Sequence, residues 1–187
     1  MPSGIIDTFT VEVLQPVEQS WQYLFEKHRY GIKYEIVCAI GNPKIVWLSG
    51  PWRGTASDPT IARKSGIKSY LHENEALLSD KIYRGDRQTF LTAVPGHTYV
   101  LEDEEKAYNF LVYSARNSVE RLIRRITSSG IFQHVWRFSF KLHKKCMKAV
   151  SKLVNFTLIF EHSVKISSSP HQQALRLHFC NFLFVHS

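Results

Sequence analysis

The chain contains 187 residues, of which 44% are hydrophobic, and it carries a formal net charge of +8. This length and apolar content fit one globular domain with a sizeable core and exclude an intrinsically disordered chain. The three cysteines are odd in number and far apart, which excludes a disulfide framework and indicates a reducing compartment. The apolar segment 174–185 is too short to cross a bilayer, so no membrane partner is expected.

The positive charge is concentrated in the C-terminal third. Residues 130–187 contain eight Lys and Arg but one acid, Glu161, whereas the preceding residues are close to neutral. Such a distribution indicates a polyanionic partner, most often nucleic acid, and a solvated basic helix without a partner explains it equally well. His143 and Cys146 have the spacing of metal ligands, but the sequence contains no second pair. His143 is therefore expected on a helix surface and Cys146 as a thiol in the core.

Residues 4–13, GIIDTFTVEV, alternate between two faces and are rich in β-branched side chains, which predicts a strand. Asp7 lies in the middle of its apolar face. Because an unpaired carboxylate is costly in such surroundings, Asp7 is expected to be neutralised, paired or bound to a metal. The alternative is an aspartate at a sheet edge that faces water.

Residues 14–30 lack a regular pattern, and the next two strands are predicted at 32–40 and 44–49. Gly41-Asn42-Pro43 between them predicts a turn, so the two strands are expected to form an antiparallel hairpin. Residues 50–59 are rich in Gly and Pro and predict a loop. A helix is predicted over 59–71, with Asp58 as its N-cap.

A short buried strand is predicted at 77–79, just before Asp80, and its helical crossover favours a parallel pairing. Two longer helices are predicted at 102–127 and at about 140–154. Their expected apolar faces consist of Tyr108, Leu111, Ala115, Val119, Leu122 and Ile126 in the first helix and Leu142, Cys146, Val150 and Leu153 in the second.

Three antiparallel strands, a helix, a short parallel strand and further helices are the element order of a ribonuclease-H-like α/β sheet, also found in retroviral integrases. In such a sheet the first and fourth strands are neighbours, which would bring Asp7 beside Asp80. A helix packed on the sheet would add Glu120. Three converging carboxylates repel one another unless cations neutralise them, and oxygen ligands of this kind select Mg²⁺ or Mn²⁺. Two such ions also support in-line displacement at phosphorus.

Four blocks of the sequence resemble successive blocks of the DDE-superfamily endonuclease domain of transposases, and the Harbinger/PIF-type and IS5-like groups are the most similar. The blocks are GIIDTFTVEVLQP, KYEIVCAIGNPKIVWLSGPWRGTASDPTIARKSGI, LLSDKIYRG and NSVERLIRRI. The resemblance implies a DDE endonuclease domain at residues 1–155, shortened at its N-terminus. Residues 156–187 are expected to form an unmatched, poorly organised tail.

By matching motif, the resemblance places the catalytic and metal-binding carboxylates at Asp7, Asp80 and Glu120, and it implies two Mg²⁺ or Mn²⁺ ions. Asp58 matches a recurrent aspartate of the family, for which helix capping is the preferred explanation. Two family glycines are replaced by Thr8 and Ile82. Because isoleucine does not readily adopt positive φ, a turn that needs it would be distorted beside Asp80.

Basic residues lie close in sequence to the second and third carboxylates. As a cationic rim they would hold DNA phosphates beside the metals. The residues assigned to this role are Lys81, Arg84, Arg116, Arg121 and Arg124. The alternative for Arg116 and Arg124 is a surface ion pair with Glu120. Arg125 fits either role, and Trp52 is the one tryptophan expected to contact DNA.

The leading hypothesis is a metal-dependent DNA endonuclease and transposase domain that hydrolyses phosphodiesters. A second hypothesis is a catalytically decayed, transposon-derived module that binds DNA or a protein. A host nuclease of ribonuclease H type acting on RNA–DNA hybrids is ranked last. The resemblance implies DNA as the partner and leaves room for a separate DNA-binding partner protein and for a homo-oligomer. The expected location is the nucleus in a eukaryote and the cytoplasm otherwise.

Overall fold

The computed structural model describes residues 2–17, 20–26, 29–41, 44–97 and 100–166. The predicted turn residues Asn42 and Pro43, together with the segment 167–187, lie outside these ranges. The strands are β1 (Pro2–Val13), β2 (Leu24–Glu26), β3 (Arg29–Ala39), β4 (Ile45–Arg53), β5 (Ala76–Leu78) and β6 (Phe90–Leu91). The α-helices are α1 (Asp58–Ser65), α2 (Asp103–Thr127) and α3 (Phe140–Ile166).

The strands form one mixed sheet. β3 pairs antiparallel with β1 on one side and with β2 and β4 on the other. β1 pairs in parallel with β5, and β5 pairs in parallel with β6. The structure therefore confirms the predicted antiparallel hairpin and the predicted parallel pairing of the short strand that precedes Asp80.

The two faces of the sheet carry separate cores, as the alternation in β1 requires. Ile5, Phe9 and Val11 belong to the larger core, which α2 and α3 cover, whereas Ile6 belongs to a smaller core beside α1. Since Asp7 has the same parity as Ile5 and Phe9, its carboxyl group belongs to the face that α2 covers.

Two element boundaries differ from the prediction. β4 continues beyond Ser49 to Arg53, because Gly50 adopts a φ of 143° and lies so close to Tyr34 that a Cβ atom would stand 2.6 Å from its ring. The crossover helix ends earlier than predicted, at Ser65, because Gly66 takes the left-handed conformation with a φ of 83°. A turn of 3-10 helix, Ile67–Tyr70, follows.

The predicted apolar faces of the long helices are wrong at several positions. Leu111 in α2 and Leu153 in α3 are 66% and 59% exposed, and Leu142 is also exposed. The buried face of α3 contains His143, Met147 and Val154 instead, and the helix extends to Ile166 rather than ending near residue 154.

Two buried or half-buried asparagines attach the long helices to the sheet. The side-chain amide of Asn109 in α2 accepts a hydrogen bond from Val94 N at 2.7 Å and donates to Val94 O at 3.1 Å. Asn155 in α3 makes the same pair of bonds with Ile45 at the start of β4, both at 2.8 Å. Each amide thus satisfies both backbone polar groups of one residue.

His143 is a core residue, which corrects the prediction of a surface histidine. Its ring is fully buried between Tyr34, Phe132 and Trp136, and its Nδ1 is hydrogen-bonded to the Tyr34 hydroxyl at 2.9 Å. Burial lowers the pKa of His143 to about 4, so the ring is neutral near neutral pH.

This burial predicts that His143 destabilises the fold in acid. The unfolded chain takes up a proton near the ordinary histidine pKa, whereas the folded chain resists protonation until about pH 4, so stability falls as pH drops through this window by at most about 3 kcal/mol. His143→Gln keeps a neutral polar group beside Tyr34. We expect it to be less stable than the wild type near neutral pH and to lose that deficit towards about pH 4. Urea unfolding at both pH values measures the difference, and an equal deficit at both would contradict the prediction.

Candidate active site

Asp7 lies half-buried on the α2-facing side of β1. Its Oδ1 accepts a hydrogen bond from Thr8 N at 2.8 Å. The pKa of Asp7 is raised to about 6, chiefly by burial. The Thr8 bond and the Arg116 cation oppose this rise, and the charges of Asp58 and Asp80 make smaller contributions to it. Asp7 is therefore a desolvated carboxylate that a nearby cation would stabilise.

Asp80 follows β5 with one residue, the buried Ser79, between it and the last strand residue Leu78. The parallel register aligns Ile5 with Leu78, and two residues further along each chain stand Asp7 and Asp80. Asp80 caps a turn of 3-10 helix, Lys81–Tyr83, by accepting a hydrogen bond from Lys81 N at 2.6 Å. The register thus delivers two carboxylates to one edge of the sheet.

The turn after Asp80 accommodates Ile82 without distortion. Ile82 lies inside the 3-10 turn, where backbone φ is negative, and its side chain is 51% exposed. The turn does not need positive φ at this family glycine position, so the condition for a distorted backbone is not met.

Arg116 on α2 connects the helix to the carboxylates. Its Nη1 lies 3.4 Å from Asp80 Oδ1, and its side chain is 20% exposed, against 42% for Asp80. Arg116 is also the charged group that most lowers the pKa of Asp7. The alternative of a surface pair with Glu120 does not form among the described residues, since Arg116 pairs with Asp80 after β5 instead.

Glu120 lies one helical turn after Arg116 and is half-buried. Within the described part of the chain it forms neither an ion pair nor a hydrogen bond, and Arg124 does not pair with it. Nor do the described residues contain a group of three or more Asp, Glu, His or Cys side chains that could hold a metal ion. The structure therefore brings Asp7 and Asp80 together with Arg116, and leaves Glu120 outside such a group.

Asp58 lies close enough to Asp7 for its charge to act on that carboxyl group, whereas the pattern of residues alone predicted Asp58 as the N-cap of a helix. Ser57 is the N-cap of α1, and Asp58 is the first helical residue. Its Oδ1 pairs with Lys33 Nζ at 3.1 Å, and its charge acts on Asp7. The only sequence signal for a site role was its place in a block that matches the family.

Tyr83 adds a buried hydroxyl beside the same carboxylates. It is 2% exposed, and burial raises its pKa, as do the nearby charges of Asp58, Glu35, Asp7 and Asp80 in that order. Its hydroxyl group has no hydrogen-bond partner among the described residues. Glu35 is also fully buried and accepts a hydrogen bond from Trp47 at 3.0 Å.

The basic residues differ in the hydrogen bonds and ion pairs that they form. Lys81, Arg84, Arg121 and Arg124 are exposed, and of these Arg121 donates a hydrogen bond to Ser118. Arg125 pairs with Glu161 through two hydrogen bonds of 2.9 and 3.0 Å and so links α2 to α3. Trp52 is half-buried and donates to Ser49 Oγ at 3.1 Å.

A mixed sheet with helices on both faces and two carboxylates on neighbouring parallel strands is compatible with a nuclease of the DDE type. The model of the DDE superfamily endonuclease family matches residues 6–157, from β1 into α3. The chain belongs to this family. No curated protein and no solved structure matches the chain. The family resemblance is thus confirmed, and the Harbinger/PIF-type or IS5-like subtype stays a prediction.

Burial of Asp7 predicts that neutralising it stabilises the metal-free protein near neutral pH. The folded state keeps the Asp7 proton up to about pH 6 and the unfolded state releases it near the ordinary value, so stability is lost as pH rises between these values. After a discount for partial exposure, Asp7→Asn should gain about 2 kcal/mol near pH 7 and little below about pH 4.

Urea unfolding in EDTA measures this gain, with the exposed loop variant Glu73→Gln as the control for loss of one negative charge. A gain of the same size at both pH values, or in both variants, would contradict the assignment of the effect to Asp7 burial.

Proposed function

We propose that the chain is a divalent-metal-dependent DNA endonuclease domain of transposase type, with a ribonuclease-H-like fold. Asp7, Asp80 and Glu120 are its proposed catalytic and metal-binding residues. The observation that carries the proposal is the parallel register of β1 and β5, which sets Asp7 and Asp80 side by side in a chain that belongs to the DDE superfamily endonuclease family.

The donor chemistry of this pair fits hard divalent cations. Both side chains offer carboxylate oxygens, which Mg²⁺ and Mn²⁺ prefer, and the desolvated Asp7 carboxylate gains most from a neighbouring cation. Two bound ions of this kind supply charge neutralisation and an activated water for in-line attack at phosphorus. Glu120, which has no ion-pair partner within the described residues, is the proposed third ligand.

The cations around the pair have separate proposed tasks. Arg116 lies against Asp80, and its positive charge opposes the rise in the pKa of Asp7. The exposed side chains of Lys81, Arg84, Arg121 and Arg124 remain available to bind the phosphates on either side of the scissile bond. DNA as the substrate places the protein in the nucleus of a eukaryotic cell, or in the cytoplasm otherwise.

The proposal predicts that Asp80→Asn abolishes nicking. An amide in place of the carboxylate removes the charge that binds the cation, so Mg²⁺- or Mn²⁺-dependent nicking of supercoiled DNA should fall by at least about 100-fold. The matched control is Asp103→Asn, because the Asp103 side chain is 97% exposed at the start of α2. Nicking that is unchanged in Asp80→Asn would overturn the proposal.

A second candidate function is a DNA- or protein-binding module that keeps the fold without the chemistry. It is favoured by the absence, within the described residues, of a group of three acidic, histidine or cysteine side chains around one point. It is also favoured by Arg116, which already neutralises Asp80.

Calorimetric Mn²⁺ titration separates the two functions. A nuclease site predicts Mn²⁺ binding that Asp7→Ala removes and Asp103→Ala leaves intact, since the former deletes a buried ligand and the latter an exposed one. Absence of Mn²⁺ binding in the wild-type protein, together with intact DNA binding, would favour the binding module.

A further inference from the structure

The outer face of α3 carries a stripe of lysines. With 3.6 residues per turn, Lys141, Lys144, Lys145, Lys148 and Lys152 fall within an arc of about 100°. All five are exposed. His143, Met147 and Val154, which are buried in the core, lie on the opposite side of the helix. The lysine stripe is thus the face of α3 that points directly away from the sheet.

The stripe carries no compensating negative charge. Glu161 is the only acidic residue in α3, and its side chain is engaged by Arg125 of the neighbouring helix. Among the described residues none of the five lysines forms an ion pair. Because the five lysines lack acidic partners, they repel one another, and the stripe has a positive potential that a bound polyanion would lower.

The position of α3 sets this potential in the same helix layer as Arg116 of α2. α2 and α3 cover the same face of the sheet and share one core, and the pair between Arg125 and Glu161 joins them. Their outward surfaces therefore face the same side of the molecule. Arg121 and Arg124 on α2 are exposed on this helix layer as well.

We propose that the lysine stripe of α3 is a phosphate-binding surface for the DNA backbone, outside the cleft formed by Asp7, Asp80 and Arg116. From Lys141 to Lys152 it spans roughly 16 Å, since the helix rises 1.5 Å per residue, and this length covers about five base-pair steps. Lysine ammonium groups are point charges without planar recognition geometry, so the surface binds DNA without reading its sequence.

The identity of the polyanion as DNA rests on the proposed function, and an anionic membrane is the competing occupant. The fold favours nucleic acid, because the side of α3 that contains Met147 and Val154 is already packed in the core. Among the described residues, the large apolar side chains of α3 that are exposed are Leu142, Leu153, Phe156, Ile159 and Phe160. A helix that lies in a membrane interface needs its main apolar face free.

Salt-dependent DNA binding tests the proposal with the full chain in EDTA. The double variant Lys148→Gln/Lys152→Gln should make the slope of log Kobs against log salt shallower by about 2 between about 50 and 200 mM salt, because each phosphate contact contributes about 0.9. The matched control is Arg63→Gln/Lys64→Gln, which removes two exposed cations from α1 on the opposite face of the sheet and should change the slope by less than about 0.5.

Equal changes in the two double variants, or no change in either, would overturn the lysine surface. So would lysine-dependent binding to anionic phospholipid vesicles without lysine-dependent binding to DNA. Asp80→Asn separates this inference from the nuclease proposal: an enzyme that nicks DNA but ignores Lys148 and Lys152 contradicts only the surface. A protein that needs these lysines for DNA binding, yet shows no Asp80-dependent nicking, contradicts only the nuclease.

Discussion

The parallel pairing of β1 with β5 places Asp7 and Asp80 close together, just beyond the end of β5. The surrounding structure compensates the repulsion between these two carboxylates. Desolvation is the larger cost at Asp7, because the side chain belongs to the apolar face of its strand, and the charge of Asp80 adds a smaller one. Arg116 is the compensating cation within hydrogen-bonding range of Asp80. An additional cation near Asp7 would further stabilise its ionised form.

The helix layer determines which cations reach the site. α2 contributes Arg116 because its apolar side chains Val112, Val119 and Leu122 fix the helix on the larger core. α3 packs beside α2 on that core and is joined to it through Arg125 and Glu161. The arginines of α2 and the lysines of α3 consequently belong to one positively charged layer of helices, on the face of the sheet to which Asp7 belongs.

The pairing of β1 with β3 and β5 could be predicted from the sequence, because alternation in β1 and the short apolar run before Asp80 are local patterns. The short strands β2 and β6 were not predicted, since two or three residues carry no such pattern. The buried faces of α2 and α3 could not be predicted. Helical periodicity offers several neighbouring stripes, and the choice among them depends on tertiary partners, such as Tyr34 for His143. The position of Asp58 near Asp7 could not be predicted either, because it also depends on a tertiary partner: Lys33, with which Asp58 pairs, lies 25 residues away in the sequence.

The amides of Asn109 and Asn155 have a consequence for how the molecule behaves in a crowded solution. β2, β4 and β6 are the outer strands of the described sheet, and such strands expose unpaired N–H and C=O groups that invite a strand from another copy. Asn155 occupies both groups of Ile45 at the start of β4, and Asn109 does the same for Val94 just beyond β6. The two helices thereby withdraw these backbone groups from pairing with a strand of another copy.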